Sequence, residues 1–284
     1  MAELLLGKPV VDSMTEEMLP RVQALSDQRI VPTLAIVRMG KNPDDLSYER
    51  TAIKRADTLG IFVRPYVLDV RARPEVVEAM LQSINADRTV DGCLILRPLP
   101  ETMDEDALCN IVDPIKDVDG ITRTSLVSLF TDKNEGFPPC TASACIRMLD
   151  FYGIPIEGKH AVVIGRSLVV GKPVSMLLLR RNATVTMCHS KTENLAELTR
   201  AADIVICATG KPKAFGAEYF SPGQTVLDVG INFDEEGNLC GDVDFDEVEP
   251  IVGAITPVPR GIGTVTTSET MEHVITAAER AAEA

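Results

Sequence analysis

No stretch of this 284-residue sequence stays apolar for the roughly 20 residues that a membrane-spanning helix needs. The opening MAELLLGKPVVDSM has too short an apolar run, and acids too early, for a secretory signal, so a cytoplasmic protein is expected. Positive charge is in deficit: 28 Lys and Arg stand against 42 Asp and Glu, a formal net charge of −14. Such a chain is a poor nonspecific partner for nucleic acid. Any anionic ligand must be held by local cations and backbone donors, against the field of the whole molecule. Histidine is scarce, at three residues, and none of the seven cysteines forms a C-x-x-C pair. Zinc-site spacing is therefore missing, and no metal is expected. Odd in number and mostly set among apolar neighbours, the cysteines read as reduced core thiols. G-x-S-x-G is absent and the three histidines offer no triad pattern, which disfavours a serine hydrolase. Repeats and low-complexity tracts are missing too.

What is present is an ordinary globular composition, 45% hydrophobic and 25% charged, long enough for one large domain or two ordinary ones. The first third alternates helix-like and strand-like stretches. Residues 9–28 have apolar positions at helical spacing, with Pro20 expected to bend or interrupt the helix. TLAIVR at 33–38 reads as a buried strand, 39–45 as a loop, and 46–59 as a helix stopped by Gly60. A segment at 61–69, a helix near 74–86 and a strand at 93–96 follow, before a Pro/Asp/Gly-rich loop at 113–120. A connecting helix is expected over 140–152. A second run then places strands at 160–164, 183–188, 203–208 and 225–229, with helices near 171–181 and 192–201. Strands separated by single helices predict a parallel βαβ sheet. A last helix spans about 267–283.

AVVIGRSLVVGKP sets a glycine turn between a strand and a helix N-terminus, where backbone N–H groups and the positive helix end face a phosphate. Five residues separate Gly165 from Gly171, so both G-x-G-x-x-G and Walker A are absent, and Pro173 stands where Ser or Thr would bind magnesium. Alone, the loop is open to a plain turn reading. The next strand sharpens it. NAD-preferring sites place an acid about 20 residues on, to accept the ribose 2′-hydroxyl. Here that strand ends in Cys188-His189-Ser190-Lys191, without an acid. A site offering Arg166, Ser190 and Lys191 suits a 2′-phosphate, which favours NADP; the alternative is that Arg166 and Lys191 are solvated surface cations.

Taken together, GRSLVVGKPVSMLLLRRNATVTMCHSKT, DDLSYER at 44–50, VDGCLILRPLP at 90–100, PIKDVDG at 114–120, FPPCTA at 137–142, VLDVGIN at 226–232 and TPVPRGIGTVT at 256–266 resemble the bifunctional methylenetetrahydrofolate dehydrogenase/methenyltetrahydrofolate cyclohydrolase family. The resemblance spans essentially the whole chain. It implies an α/β fold with a Rossmann-type parallel-sheet NADP domain at 122–265 and a folate-substrate domain formed by both chain ends, 1–121 and 266–284. It also implies a cleft between them, a homodimer, and tetrahydrofolate derivatives as substrates. The cofactor set it implies is Gly165, Arg166, Ser167, Gly171, Lys172 and Pro173, joined by His189, Ser190 and Ile231. Asp119 matches the aspartate that pairs with the amino-pyrimidinone edge of the pterin, a bidentate task suited to a carboxylate. Tyr48 matches the tyrosine that stacks on the substrate, and both count as candidate catalytic residues. Pro257, Gly261 and Gly263 match the loop that closes over folate and nicotinamide. Without the family match, Asp119 is a turn-stabilising acid in DVDG and Tyr48 a packing tyrosine.

The sequence departs from the family where the hydrolytic chemistry sits. The pattern S-x-x-Y-x-x-x-K reads here Asp45-x-x-Tyr48-x-x-x-Ala52, so the lysine is missing. Lys54, two residues on at about 100° per residue, lies on nearly the opposite helix face. Arg55 returns to roughly the face of Tyr48 and is either a substitute cation or a surface residue. Leu96 stands where the family has the glutamine that holds the lysine, and Arg97 should face the other way. Loss of both partners is coherent, because losing one would leave a buried polar group unpaired at about 1–3 kcal/mol. Arg260 and Thr264 replace the usual Gly and Pro of the closing loop. Hydride transfer needs no lysine, whereas attack of water on the methenyl carbon calls for proton shuttling. Dehydrogenase activity is expected to survive and cyclohydrolase activity to be weak. The alternative is a non-catalytic or regulatory folate-binding protein, against which the cofactor motifs weigh.

Overall fold

A computed structural model describes every residue except Asp132, Asn134 and Ala284. In chain order the elements are β1 (Glu3–Leu4), α1 (Gly7–Asp27), β2 (Thr33–Met39), α2 (Pro43–Leu59), β3 (Phe62–Leu68), α3 (Pro74–Ala86), β4 (Gly92–Ile95), α4 (Glu105–Cys109), α5 (Arg123–Thr131) and α6 (Cys140–Phe151). They continue with β5 (His160–Ile164), α7 (Gly171–Arg180), β6 (Thr184–Cys188), α8 (Leu195–Arg200), β7 (Ile204–Cys207), β8 (Thr225–Asp228), β9 (Asn232–Phe233), β10 (Leu239–Cys240), α9 (Phe245–Val248), β11 (Ala254–Ile255) and α10 (Ile262–Glu283). Two compact units result, one of Met1–Asp12 with Thr141–Thr266, the other of Ser13–Cys140 with Thr267–Ala284.

The first unit is built on a parallel sheet, in the order β1-β11-β8-β7-β5-β6 among the described residues. Strands β5, β7 and β8 are buried almost throughout, as a parallel sheet covered on both faces requires, and their Val/Ile-rich sequences carry no polar alternation. Strand β6, at the edge, is only half-buried along most of its length. The apolar core beneath includes Val162, Ile164, Val205, Cys207, Val226 and Ile255. This is the Rossmann-type α/β arrangement expected from the sequence. The two-residue strands β1 and β11 extend the sheet by parallel pairing, Glu3 with Ala254 and Leu4 with Ile255.

The second unit has the parallel order β3-β2-β4. Strand β2 is buried at every position, which fits its central place, while β3 alternates and carries Pro65, tolerable because β3 is an edge. Helix α2 starts three residues earlier than expected: the Asn42 side chain caps it by accepting the Asp44 N–H at 3.0 Å, and Pro43 occupies its first turn. Its end at Gly60 is as expected, with that residue in the left-handed region at φ 76°. Helix α1 runs unbroken through Pro20, which lies exposed while Val10, Met14, Met18, Val22 and Leu25 form the buried stripe. All seven cysteines are free and buried. Burial pushes the thiols of Cys93, Cys109 and Cys145 up to about 12, so they are packing groups rather than nucleophiles.

Candidate active site

In the first unit the glycine turn follows β5. Gly165 has φ 132°, and a Cβ there would lie 2.2 Å from the Ala208 carbonyl oxygen. A Cβ on Gly171 would lie 2.2 Å from the Gly165 carbonyl oxygen and 2.5 Å from its carbon. Both glycines are therefore demanded by close backbone approach, which draws the N-terminus of α7 against the end of β5. The Ser167 hydroxyl accepts the Val170 N–H at 3.1 Å, and the Ser167 carbonyl accepts the Lys172 N–H at 3.1 Å, shaping the turn.

Gly165, Arg166, Ser167, His189 and Ser190 line one cavity of about 550 Å³. Thr209 and Lys211 contribute from the loop after β7. Among the described residues that line it none is acidic, so Arg166 and Lys211 are its charged groups, set beside hydroxyls and apolar side chains in a chain of net charge −14. The His189 Nδ1 accepts the Lys191 N–H at 3.2 Å, which leaves the ring N–H on Nε2. Gly171 and Pro173 are buried in the start of α7, while Lys172 and Lys191 are exposed; none of these four lines the cavity, so the second cation there is Lys211 and not the expected Lys191. Ile231, 65% exposed, lines a separate cavity of about 230 Å³ with Asp228, Pro257, Gly261 and Gly263. Gly261 is needed there because a Cβ would sit 2.6 Å from the Pro257 carbonyl oxygen. Arg260, on the same cavity, holds φ 88°, a region that favours glycine.

The residues that set this scaffold are two aspartates that sequence reasoning missed. The fully buried Asp242 accepts the N–H groups of Thr209, Gly210 and Lys211, the Thr209 hydroxyl at 2.9 Å and the Asn232 amide at 2.9 Å. It thereby folds the loop that supplies Thr209 and Lys211 to the cavity. Asp228 accepts the N–H groups of Gly230, Asp242 and Val243 at 2.9–3.0 Å, and burial pushes its carboxyl up to about 7. Asp228 stands within VLDVGIN at the end of a buried strand, but nothing local disclosed the donors it accepts from.

In the second unit, Asp119 lies in a loop that is fixed at both ends. The fully buried Asp117 accepts the Ile121 and Thr122 N–H groups at 3.0 and 2.8 Å. Lys116 directs its ammonium at the carbonyls of Ile84, Asn85 and Asp87, closing the C-terminus of α3. Gly120 packs so tightly that a Cβ would meet Pro138 and Pro139 backbone atoms at 2.5 Å. Burial pushes the Asp119 carboxyl up to about 6, with Asp117 adding to the rise and Arg97 opposing it. The Arg97 Nη2 stands 3.4 Å from Asp119 Oδ2, a contact the sequence did not disclose because the partners are 22 residues apart.

Tyr48 is half-buried on α2, near Asp119 and Cys140, and hydrogen-bonds to the Thr267 and Thr270 hydroxyls of α10. Burial, then the proximity of Asp119 and Cys140, drives its phenol well above the ordinary range. Ala52 is fully buried and Leu96 is 7% exposed, so both positions that would carry the polar pair are apolar and packed. Lys54 is exposed, as its helix face predicts, and Arg55 is half-buried. One helical turn from Ala52, Glu49 is buried and pairs with buried Arg38, Nε to Oε2 at 2.5 Å. His273 is a packing residue, stacked on Phe137 with its Nδ1 2.8 Å from the Val118 carbonyl; His160 bonds Thr186.

Comparison with known proteins places two family models on this chain. The tetrahydrofolate dehydrogenase/cyclohydrolase catalytic domain matches residues 5–119, and the NAD(P)-binding domain of the same family matches 139–282. The chain is 47% identical over 281 residues to the bifunctional protein FolD of Carboxydothermus hydrogenoformans, covering 98% of each. Its fold superimposes on the crystal structure of the bifunctional FolD dehydrogenase/cyclohydrolase from Campylobacter jejuni with a TM-score of 0.95 at 35% identity, covering 99% of both chains. It is also similar to the Trypanosoma brucei methylenetetrahydrofolate dehydrogenase-cyclohydrolase solved with NADP and an inhibitor, with a TM-score of 0.93 at 32% identity, covering 100% of this chain and 99% of the other.

Proposed function

This chain belongs to the tetrahydrofolate dehydrogenase/cyclohydrolase family, and from that premise we propose that it oxidises 5,10-methylenetetrahydrofolate to 5,10-methenyltetrahydrofolate with NADP. The observation that carries the cofactor choice is the acid-free cavity beside the glycine turn, where Arg166, Ser190 and Lys211 meet in a strongly acidic protein. The residues present fit a dinucleotide. The turn that any side chain at 165 or 171 would fill leaves backbone N–H groups and the start of α7 for the pyrophosphate. Arg166 and Ser190 would hold the 2′-phosphate. Bound there, the nicotinamide supplies the hydride acceptor, and the protein's contribution is orientation.

Asp119, when ionised, accepts from the amino-pyrimidinone edge and fixes the pterin in register. Tyr48, anchored through its hydroxyl to Thr267 and Thr270, offers a fixed ring face for stacking. Its phenol stays neutral across the working range, so it acts as a platform and not as a base. Pro257 and Gly261 in the loop, and Gly263 in the first turn of α10, shape the surface that receives the nicotinamide side, with Ile231 beside them. The hydrolytic step has no such support. With Ala52 and Leu96 packed and apolar, no side chain at either position moves a proton to or from attacking water, and cyclohydrolase activity is slow. The working form is a homodimer in the cytoplasm. Among the described residues, no helix is long and apolar enough to cross a membrane. A pure folate-binding protein would have no use for the dinucleotide cavity.

The test is to supply purified protein with methylenetetrahydrofolate and either NADP or NAD and follow formation of reduced nicotinamide. A kcat/KM for NADP well above that for NAD is expected. No reduction with either cofactor would reject the reading, and a preference for NAD would reject the role given to Arg166 and Ser190.

A further inference from the structure

Asp119 does not stand alone in its loop. Arg97, just beyond the end of β4, places its guanidinium between two carboxylates: Nη2 is 3.4 Å from Asp119 Oδ2, and Nη1 is 3.9 Å from Glu105 Oε1. Glu105 is anchored in turn, its other oxygen accepting the Leu99 N–H at 2.7 Å at the start of α4. The Arg97 and Asp119 side chains are 26% and 20% exposed, so the contact is partly withdrawn from water. Among the described residues, the other groups whose charge acts at Asp119 or its neighbours are anionic or neutral. They are Asp117 on its own loop, Tyr48 on α2, Cys140 at the start of α6 and Cys109 on α4, with Glu269 of α10 facing Cys140. The lysine that would sit one turn from Tyr48 is Ala52.

We infer that Arg97 is the positioning residue of the folate site: its guanidinium, braced by Glu105, orients the Asp119 carboxylate and holds it ionised so that it can accept from the pterin. A carboxyl in this setting needs such a partner. Burial already lifts it to about 6 even with Arg97 in place, and an opposite charge at this range lowers a carboxyl pKa by roughly 1 unit or more. Without Arg97, half of Asp119 would be protonated near neutral pH and lost as an acceptor. The inference rests on the folate reading only for the identity of what Asp119 holds; the Arg97–Asp119 coupling itself does not.

The experiment has two arms on the full chain. Carboxyl carbon NMR follows the titration of Asp119, assigned by its absence in Asp119→Asn. The midpoint is expected near 6 in the native chain, about one pH unit higher in Arg97→Met, and close to native in Arg97→Lys, which keeps the charge. Arg97→Gln serves in the same way if the methionine variant does not fold. In the second arm, calorimetry measures tetrahydrofolate affinity against pH. A one-unit rise makes Arg97→Met bind about fivefold more weakly at pH 6, about twofold at pH 7, and nearly as the native chain by pH 8. A merely structural role for Arg97 would weaken binding equally at every pH. An unchanged Asp119 midpoint in the uncharged variants overturns the inference. A native chain that titrates near 6 but binds no tetrahydrofolate overturns the folate reading and leaves the coupling to be judged by the NMR arm.

Discussion

Replacing Gly171 by alanine tests whether the glycine turn binds a dinucleotide or merely turns the chain. The added Cβ would lie 2.2 Å from the Gly165 carbonyl oxygen, against the 3.4 Å at which ordinary contact begins, and 2.8 Å from the Arg166 nitrogen. Every colliding atom is backbone, so no side chain can swing aside, and the start of α7 must retreat by about 1 Å. Overpacking of this kind costs about 1–3 kcal/mol of stability. The larger effect falls on the ligand. A charge-assisted hydrogen bond to phosphate contributes about 1.5–3 kcal/mol, so losing one raises the KM for NADP roughly 10- to 150-fold. The assay is initial rate against NADP at saturating methylenetetrahydrofolate, with thermal unfolding measured with and without NADP. The variant should lose most of the NADP-induced stabilisation. Gly158→Ala is the control: its φ of 74° strains an added side chain, yet nothing lies within 4 Å of the new Cβ, so stability falls while the KM for NADP stays put. A folded Gly171→Ala protein with a KM for NADP within about twofold of native would refute the reasoning.

Three other perturbations address the rest of the scaffold. Glu49→Ala leaves the buried Arg38 guanidinium without its carboxylate, with only the Gly40 carbonyl kept as acceptor, and should cost about 3–5 kcal/mol in urea unfolding, whereas the paired change Arg38→Met with Glu49→Leu should be close to neutral. Asp242→Ala removes the common acceptor of the Thr209–Lys211 loop, so stability should fall by at least about 2 kcal/mol and the KM for NADP should rise; an unaltered KM would detach that loop from the cofactor. Because the Asp119 carboxyl titrates near 6 in the folded chain, above its ordinary value of 3.8, the unfolded chain releases this proton first as pH rises. Its contribution to stability therefore declines between those two values, and Asp119→Asn should flatten that part of the pH–stability curve. Over the same titration, folate affinity should fall as pH drops below about 6.

Strands of four residues or more were legible wherever burial was total. HAVVI at 160–164 carries its assignment in the apolar run AVVI, and the structure ends β5 at the same residues. Gly60 marked a helix end correctly, because an αL cap is a local requirement. The start of α2 was readable in principle from Asn42-Pro43, a cap followed by a first-turn proline, but the absence of apolar residues there hid it. The two-residue strands β1 and β11 have no local signature at all; β1 exists through pairing with β11, about 250 residues away, and β11 through pairing with β8 and β1. In the same way Arg97 was visible only as a residue facing away from Leu96. Its partnership with Asp119, and the convergence of five donors on Asp242, depend on how distant loops meet. The glycine turn and the missing acid at the end of β6 were local, and those are the features on which the proposed cofactor site rests.

One preparation of this protein is expected to carry a full redox activity and a crippled hydrolytic one. The direct measurement sets two rates side by side at neutral pH: NADP reduction with methylenetetrahydrofolate, and loss of methenyltetrahydrofolate above the buffer rate. General acid–base assistance contributes about 10²–10⁴-fold, so with Ala52 and Leu96 in place hydrolysis should trail the dehydrogenase by roughly 10²-fold or more. Hydrolysis keeping pace with NADP reduction would contradict the account.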